Sequence, residues 1–120
     1  INKMCQTTTM WAKAISKRNP KQMIEFYSKN AILLATYDTL IISYKGIFDY
    51  FVSFLDKDNL TCEITEIFEQ VDPESSINVC SGTYTFRFTE KCKQKEVLAR
   101  FSIVTENGLI INHHSSLEPE

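Results

Sequence analysis

Two kinds of hydrophobic periodicity divide the chain near residue 60. Before that point, apolar residues recur every three or four positions, which is the period of an amphipathic helix. After it, apolar and polar residues alternate, which is the period of a half-buried strand. The pattern predicts an α+β protein: helices come first, a meander of long strands follows, and the helices cover one face of a bent antiparallel sheet.

Three helices are expected in the first half of the chain. The first spans residues 7–18 and begins at a run of threonines, which favour the N-cap position. The second begins at Asn19 and Pro20, because Asn caps a helix and Pro is tolerated at its first position. The third is centred on residues 47–55, whose apolar side chains fall on one helical face. A short buried strand, residues 31–36, is predicted between the second and third helices.

Four strands are expected in the second half, covering residues 60–71, 77–89, 96–105 and 109–116. The dipeptide Asn107-Gly108 joins the last two, and it predicts a two-residue type I′ turn, which needs a positive φ at both positions. Counting outward from this turn places Ser102 opposite His113 and Arg100 opposite Ser115. These four polar residues would then share one face of the sheet. The other face would carry the apolar residues Phe101, Ile103 and Ile110.

Composition narrows the classes of protein that fit this chain. Its 120 residues are 43% hydrophobic and 23% charged, so we expect one globular domain, residues 1–120. A net charge of −2 and no basic cluster longer than Lys17-Arg18 argue against a nucleic-acid partner. No apolar run reaches the ~18 residues of a membrane helix, so no membrane partner is expected. The chain begins with Ile1, so either a signal peptide was removed or the sequence was shortened, and the compartment stays open between cytoplasmic and exported.

The cysteines give no metal-binding pattern. Cys5, Cys62, Cys80 and Cys92 show neither C-x-x-C nor zinc-ribbon spacing. Buried free thiols are the favoured interpretation, since free Cys packs as a small hydrophobic residue. One or two disulfides are the alternative if the protein is exported. No metal and no cofactor are expected.

Several segments together resemble a known family. They are Trp11 and residues 26–36, 49–55, 82–86, 99–103 and 113–120. This set, which covers nearly the whole chain, resembles the SnoaL-like branch of the nuclear transport factor 2-like superfamily. Within that branch it is similar to bacterial proteins that resemble the association domain of calcium/calmodulin-dependent protein kinase II. The most specific part is the C-terminal segment His-His-Ser-Ser-Leu-Glu-Pro-Glu.

The resemblance implies a cone-shaped fold, in which three N-terminal helices pack on a strongly bent antiparallel sheet and enclose a pocket. The polar pocket positions of the kinase association domain align with Tyr50, Tyr84, Ser102 and Ser115. Tyr and Ser stand here where that domain has arginines, and Arg100 is the cation that remains close to them. The resemblance also implies a homodimer or higher homo-oligomer formed through the sheet. The apolar face predicted above would be the contact surface.

Arg100 is the central candidate for a ligand site. Because buried arginines are rarely left unpaired, it either pairs with a carboxylate such as Glu63 or Glu66 or binds an anionic ligand. In the second case the ligand-binding residues would be Arg100, Tyr50, Tyr84, Ser102, His113, Ser115, Trp11 and Tyr27. For Trp11 and Tyr27, a purely structural place in the core is favoured over contact with a ligand.

Candidate chemistry centres on the histidine pair. His113 and His114 are adjacent on a strand, so they point to opposite faces and cannot chelate one ion. Hydrogen bonding at the strand end is therefore favoured over metal binding. An acid–base pair of His113 with Tyr50 or Asp38 would suit catalysis, but neither a nucleophile motif nor a carboxylate pair accompanies it.

The favoured function is that of a homo-oligomeric domain that binds a small polar or anionic ligand in its internal pocket, without catalysis. One alternative is a SnoaL-like isomerase, dehydratase or hydrolase that acts on a small cyclic or carbonyl substrate. The other is a pure oligomerisation module whose pocket is residual. Fold resemblance alone does not decide between them, because one fold hosts many functions.

Overall fold

The structure, a computed structural model, describes residues 5–36, 40–72 and 74–119. These described residues form three helices and six strands. In chain order they are α1 (Gln6–Ile15), α2 (Pro20–Ile24), β1 (Tyr27–Leu34), β2 (Leu40–Ile41), α3 (Tyr44–Phe54), β3 (Asp58–Val71), β4 (Ile77–Glu90), β5 (Lys93–Glu106) and β6 (Leu109–Leu117). The strands make one sheet in the order β2-β1-β6-β5-β4-β3.

The predicted α+β architecture is confirmed. Strands β3 to β6 form the antiparallel meander, while β1 joins β6 in parallel and places β2 at the sheet edge. Helix α1 packs against β3, and α3 packs against α2 and β1. The sheet curves around these helices, and this gives the molecule its cone-like form. A strand between α2 and α3 was predicted and is present as β1, whereas the two-residue strand β2 was not predicted.

The helix starts follow their capping chemistry with one exception. The Asn19 side chain accepts a hydrogen bond from the Lys21 backbone N–H, as predicted for α2. Ser43 caps α3 in the same way through the Gly46 N–H. The threonine run does not cap α1, because the helix already begins at Gln6 and residues 7–9 lie inside it. Its N-cap is Cys5, which has a left-handed backbone and makes no side-chain capping bond.

The second helix is shorter than its apolar pattern suggests. It ends at Ile24, and β1 begins at Tyr27 rather than at residue 31. Tyr27 lies opposite Ile110 of β6. Tyr27, which the local pattern assigned to the second helix, is therefore part of a strand because it pairs across the sheet.

A β-bulge in β6 changes the register of the last hairpin. The turn itself is as predicted, since Asn107 and Gly108 both have positive φ and Glu106 pairs with Leu109. Beyond Thr105 and Ile110, however, β6 contains one extra residue, Ile111. Every pair past the bulge is therefore displaced by one position.

Because of this displacement, the residues of β6 past the bulge share a face with different residues of β5 than predicted. Ser102 lies opposite His114 and Arg100 opposite Ser116, so both predicted pairings are wrong. Because side chains alternate along a strand, a shift of one residue moves each partner to the other face.

The helix-covered face of the sheet, here called the inner face, carries most of the core. It includes Phe101, Ile103 and Ile110, which are at most 4% exposed. The prediction that these residues form an exposed apolar contact surface is therefore wrong. The opposite, outer face carries Arg100 and Ser102.

A disulfide joins α1 to the sheet, contrary to the favoured interpretation of four free thiols. It links Cys5, at the start of α1, to Cys80 of β4. Cys62 is half-buried and Cys92 is exposed, and both are free. Burial raises the pKa of the Cys62 thiol to about 12, which keeps it protonated and unreactive.

None of the helices in the described part of the chain has the length and hydropathy required of a membrane-spanning segment.

Candidate ligand-binding cavity

A cavity of about 550 Å³ lies between α3 and the inner face of the sheet. Trp11 of α1 forms one wall, and residues of β1, β4, β5 and β6 form the others. Seven of the described lining residues are aromatic: Trp11, Tyr50, Phe51, Phe54, Tyr84, Phe86 and Phe88. Tyr84 stacks on Trp11 with ring centroids 5.7 Å apart, and Tyr50 stacks on Phe54 at 5.5 Å. The cavity therefore has preformed flat apolar walls.

A chain of hydrogen-bonded side chains crosses the base of the cavity. Trp11 Nε1 donates to the Tyr27 hydroxyl at 3.1 Å, and that hydroxyl contacts His113 Nδ1 at 2.8 Å. On the other side of the ring, His113 Nε2 lies 3.2 Å from the Tyr84 hydroxyl. The cavity base thus holds a polar side chain, His113, with a partner at each ring nitrogen.

The chain continues from Tyr84 to the cavity surface. The Tyr84 hydroxyl donates to Ser115 Oγ at 2.7 Å, and Ser115 Oγ lies 2.9 Å from Thr36 Oγ1. Thr36 and Ser115 both line the cavity. Thr36 is half-buried at the end of β1, so its hydroxyl is the outermost member of the chain.

Burial fixes the charge state of this chain. Desolvation, with a smaller contribution from repulsion by His114, lowers the pKa of His113 to about 3, so the imidazole is neutral at physiological pH. Burial likewise raises the pKa of Tyr27 and of Tyr84 well above the usual tyrosine value. All three side chains are therefore uncharged hydrogen-bonding groups.

Two charged side chains line the more exposed part of the cavity. Lys57 places Nζ 5.4 Å from the ring centre of Phe54 and 5.5 Å from that of Phe88. Asp49 is on the same rim, but its carboxylate already accepts a hydrogen bond from Lys45 Nζ at 2.8 Å. Within the described residues, Lys57 takes part in no ion pair.

Most of the predicted ligand-binding residues converge on this cavity. Those that line it are Trp11, Tyr50, Tyr84, His113 and Ser115. Tyr27 lies behind this layer, where it hydrogen-bonds Trp11 and His113. Asp38, the candidate acid–base partner of His113, falls outside the described residues. Tyr50 is not a hydrogen-bond partner of His113, whose ring nitrogens face Tyr27 and Tyr84.

Arg100 and Ser102 are not part of the cavity, and this corrects the prediction that they line it. Both lie on the outer face, where Arg100 is exposed and Ser102 contacts Ser81 through their hydroxyls at 3.1 Å. The physical reason is the bulge at Ile111, which puts Phe101 rather than Arg100 beside Ser115. The alternative of an ion pair between Arg100 and Glu63 or Glu66 is not found among the described residues either: Glu63 pairs with Arg87, and Glu66 accepts a hydrogen bond from Thr83.

The sequence pattern did not single out Lys57 or Thr36. Lys57 follows the apolar face of α3 by only a few residues, and that proximity was the available signal. Thr36 lies two residues past the end of β1 and is the first polar residue after the apolar segment 31–35. The roles of Lys57 and Thr36 both depend on how α3 and β1 pack over the sheet.

One further cluster has potential metal ligands. Among the described residues, Cys5, Glu69 and Cys80 bring their ligand atoms within 4.8 Å of one another. The two sulfur atoms are joined in the disulfide, and Glu69 Oε2 accepts hydrogen bonds from the Cys5 N–H at 2.8 Å and from Asn78 Nδ2 at 2.7 Å. These hydrogen bonds lower the pKa of Glu69. In this state the cluster anchors the start of α1.

Comparisons with known proteins agree with this architecture. A structure from Xanthomonas campestris, named as a calcium/calmodulin-dependent protein kinase II association domain, is 34% identical over 94% of this chain and 84% of that chain, with a TM-score of 0.85. The chain belongs to the nuclear transport factor 2-like superfamily. Within this superfamily it groups with the proteins similar to kinase association domains.

More distant members share the fold. A superfamily protein from Salmonella enterica is 13% identical, with a TM-score of 0.80 over 96% of this chain and 88% of that one. A protein from Streptomyces avermitilis, named as a dehydratase of the same family, is 8% identical, with a TM-score of 0.79 over 96% of this chain and 93% of that one. No family model and no curated protein matches the sequence. At such low identity, these two likenesses establish the superfamily fold alone.

Proposed function

We propose that this protein is a homo-oligomeric cone-fold domain that binds a small polar or anionic ligand in its internal cavity. The observation that carries the proposal is the cavity itself: about 550 Å³, walled by aromatic rings, with hydroxyl groups at its base and an ammonium group at its rim. Small-molecule sites in proteins have this size and this combination of apolar walls with a few polar groups. The ligand that fits best is a flat apolar body with one acidic or polar group.

Lys57 supports the anionic character of the ligand. Its ammonium group lies over two ring faces, which attract a cation but leave its hydrogen-bond donors unused. A carboxylate beside it would gain a charge-assisted hydrogen bond in a partly desolvated setting. Lys57 thus takes the role that the sequence assigned to Arg100.

The test compares benzoate with its neutral counterpart benzamide. Benzoate at 100 times its dissociation constant should stabilise the wild-type protein by roughly 2.7 kcal/mol, which is visible as a rise in Tm. We expect Lys57→Arg to keep this stabilisation and Lys57→Met to lose most of it. Benzamide should give a smaller rise that Lys57→Met does not change.

Arg100→Leu is the matched control, because it also removes a cation but from the outer face. It should respond to benzoate as the wild type does. Equal stabilisation of Lys57→Met and wild type, or a loss confined to Arg100→Leu, would contradict the anion site. If no small carboxylate or amide stabilises the protein, the oligomerisation module with a residual cavity becomes the better account.

Self-association is the second part of the proposal. It is supported by the 34% identity to a protein named as an association domain. The outer face has apolar side chains for such a contact: Phe68 is 65% exposed and Leu98 is 44% exposed. Light scattering after size exclusion should give at least twice the 13.9 kDa chain mass, and Phe68→Glu should shift the protein toward the monomer. A wild-type monomer at micromolar concentration would contradict this part.

Binding is preferred to catalysis because His113, the imidazole at the cavity base among the described residues, is not available as a general base. The histidine ring is neutral, with low proton affinity, and both of its nitrogens have hydroxyl partners. A general base needs a free lone pair within reach of the substrate proton. An isomerase, dehydratase or hydrolase reaction would therefore need another base than His113.

A further inference from the structure

The hydrogen-bond chain at the cavity base has a direction, and its first member sets it. An indole N–H can only donate, so Trp11 must give its proton to the Tyr27 oxygen. The Tyr27 hydroxyl has one proton of its own. Its other contact is His113 Nδ1 at 2.8 Å, so the hydroxyl donates its proton to that nitrogen. The reverse arrangement would leave a buried hydroxyl proton without an acceptor, which is costly.

The imidazole of His113 continues the same direction of hydrogen-bond donation. A neutral histidine has one protonated and one bare nitrogen. Since Nδ1 accepts from Tyr27, the proton is on Nε2, which donates to the Tyr84 oxygen. The Tyr84 hydroxyl in turn donates to Ser115 Oγ. Each member accepts on the indole side and donates toward the cavity.

The last proton of the chain belongs to Thr36. Either hydroxyl could donate in the 2.9 Å contact between Ser115 Oγ and Thr36 Oγ1. Ser115 is the more buried of the two, so donation from Ser115 to Thr36 leaves the remaining proton on the more exposed hydroxyl, where a partner can reach it. The Thr36 hydroxyl lines the cavity, and no other described residue accepts its proton. The buried indole N–H of Trp11 therefore sets the direction of donation along the chain, and the burial of Ser115 extends it as far as the Thr36 hydroxyl.

We infer that a ligand in this cavity places a hydrogen-bond acceptor, such as a ketone or carboxylate oxygen, against the Thr36 hydroxyl. This inference rests on the proposed function, because it requires that the cavity admit a ligand. It defines the ligand class further: carbonyl compounds are favoured over hydrocarbons of the same shape and over amines that present only donors. The Thr36 contact is separate from the Lys57 contact and does not require a negative charge.

A neutral pair of probes separates this contact from the charge effect of Lys57. Acetophenone carries a carbonyl acceptor, and isopropylbenzene has nearly the same shape without one. By NMR titration, the ratio of acetophenone affinity to isopropylbenzene affinity should be about fivefold to tenfold higher in the wild-type protein than in Thr36→Val, as expected of one hydrogen bond. Thr36→Val removes the hydroxyl at constant shape, whereas Thr36→Ser keeps the hydroxyl and should keep the wild-type ratio. The same ratio in Thr36→Val as in the wild type would overturn the inference.

The direction of the chain is measurable without a ligand. Nitrogen-15 chemical shifts distinguish protonated from bare imidazole nitrogens, and we expect His113 to be protonated on Nε2 and bare on Nδ1. The opposite tautomer would reverse the chain and overturn the inference even if both probes bind. If the tautomer is as expected but neither probe binds at saturating concentration, it is the proposed ligand-binding function that fails, and the preference for acceptor ligands fails with it.

Discussion

Trp11 and His113 meet edge to face, with ring centroids 5.2 Å apart, and both hydrogen-bond the hydroxyl of Tyr27. This contact joins α1 to β6 through two polar groups that are shielded from water. The same helix is tied to β4 at its first turn by the disulfide of Cys5. The wall of the cavity that Trp11 forms is thus fixed at two points, one covalent and one hydrogen-bonded.

The neutral state of His113 predicts a pH dependence of stability. Its pKa is about 3 in the folded protein, against the usual 6.5 of a histidine exposed to water. Between these values the unfolded chain binds a proton that the folded protein does not, so the free energy of unfolding falls as the pH falls. We expect a slope of about 1.4 kcal/mol per pH unit from this residue, beginning near pH 6.5 and complete near pH 3.

Urea unfolding between pH 5 and pH 8 measures this slope. His113→Asn should lose it whatever its absolute stability, because no titratable group remains at that position. His114→Gln is the matched control, since that side chain is exposed on the outer face, and it should keep the wild-type slope. Identical pH profiles for His113→Asn and wild type would contradict the buried neutral imidazole.

Removal of one hydroxyl from the middle of the chain should be costly. In Tyr84→Phe, the His113 Nε2–H loses its acceptor and Ser115 loses its donor. We expect the free energy of unfolding to fall by roughly 1–3 kcal/mol. Ser102→Ala, which removes a hydroxyl from the outer face, should change it by less than about 0.5 kcal/mol. A Tyr84→Phe variant as stable as the wild type would show that the hydroxyl is not needed for the network.

The disulfide should contribute substantially to stability, because it closes a long segment of the chain. The two cysteines are 75 residues apart, and a loop of that size predicts a loss of roughly 4 kcal/mol when the bond is removed. Reduction, or Cys80→Ser, should lower the midpoint of urea unfolding accordingly. Cys92→Ser should have no such effect, and mass spectrometry after thiol alkylation should find two reactive thiols. Four alkylated thiols in the unreduced, unfolded protein would contradict the linkage.

Gly82 should be the least replaceable glycine of the sheet. A Cβ at this position would lie 1.9 Å from the backbone oxygen of Glu66, beside the bulge in β3. Gly82→Ala therefore forces two strands apart and should cost on the order of 3 kcal/mol. Gly108 has open space around its Cβ position but a φ of +84°, so Gly108→Ala should cost only about 1 kcal/mol. Equal losses in the two variants, measured by thermal unfolding, would contradict this account.

Much of the fold could be predicted from local patterns. The alternation of residues 60–116 identified four strands whose ends lie close to those observed, and Asn107-Gly108 fixed the last turn, since few other residues accept positive φ at both positions. Asn19 and Pro20 likewise predicted the start of α2 from their own capping chemistry. The resemblance to the superfamily, which depended on residues dispersed over the chain, was confirmed by the structural comparison.

The candidate site was predicted only in part, and one residue explains most of the error. Ile111 is an ordinary strand residue with no local sign of a bulge, yet its insertion exchanges the faces of β6. Tyr84 and His113 were placed in the cavity, while Arg100 was placed there wrongly. A register error of one residue is invisible to a pattern of period two, because both registers alternate equally well.

The sequence by itself determined which segments are helices and strands, where the last hairpin turns and which superfamily the chain resembles, because these depend on periodicity, backbone preference and residue identity. Tertiary structure decided which face of each strand is buried, which cysteines meet and which cation reaches the cavity. Those outcomes depend on contacts between residues far apart in the chain. Cys5 with Cys80, and Lys57 with Phe88, are neighbours only after α1 and α3 close over the bent sheet.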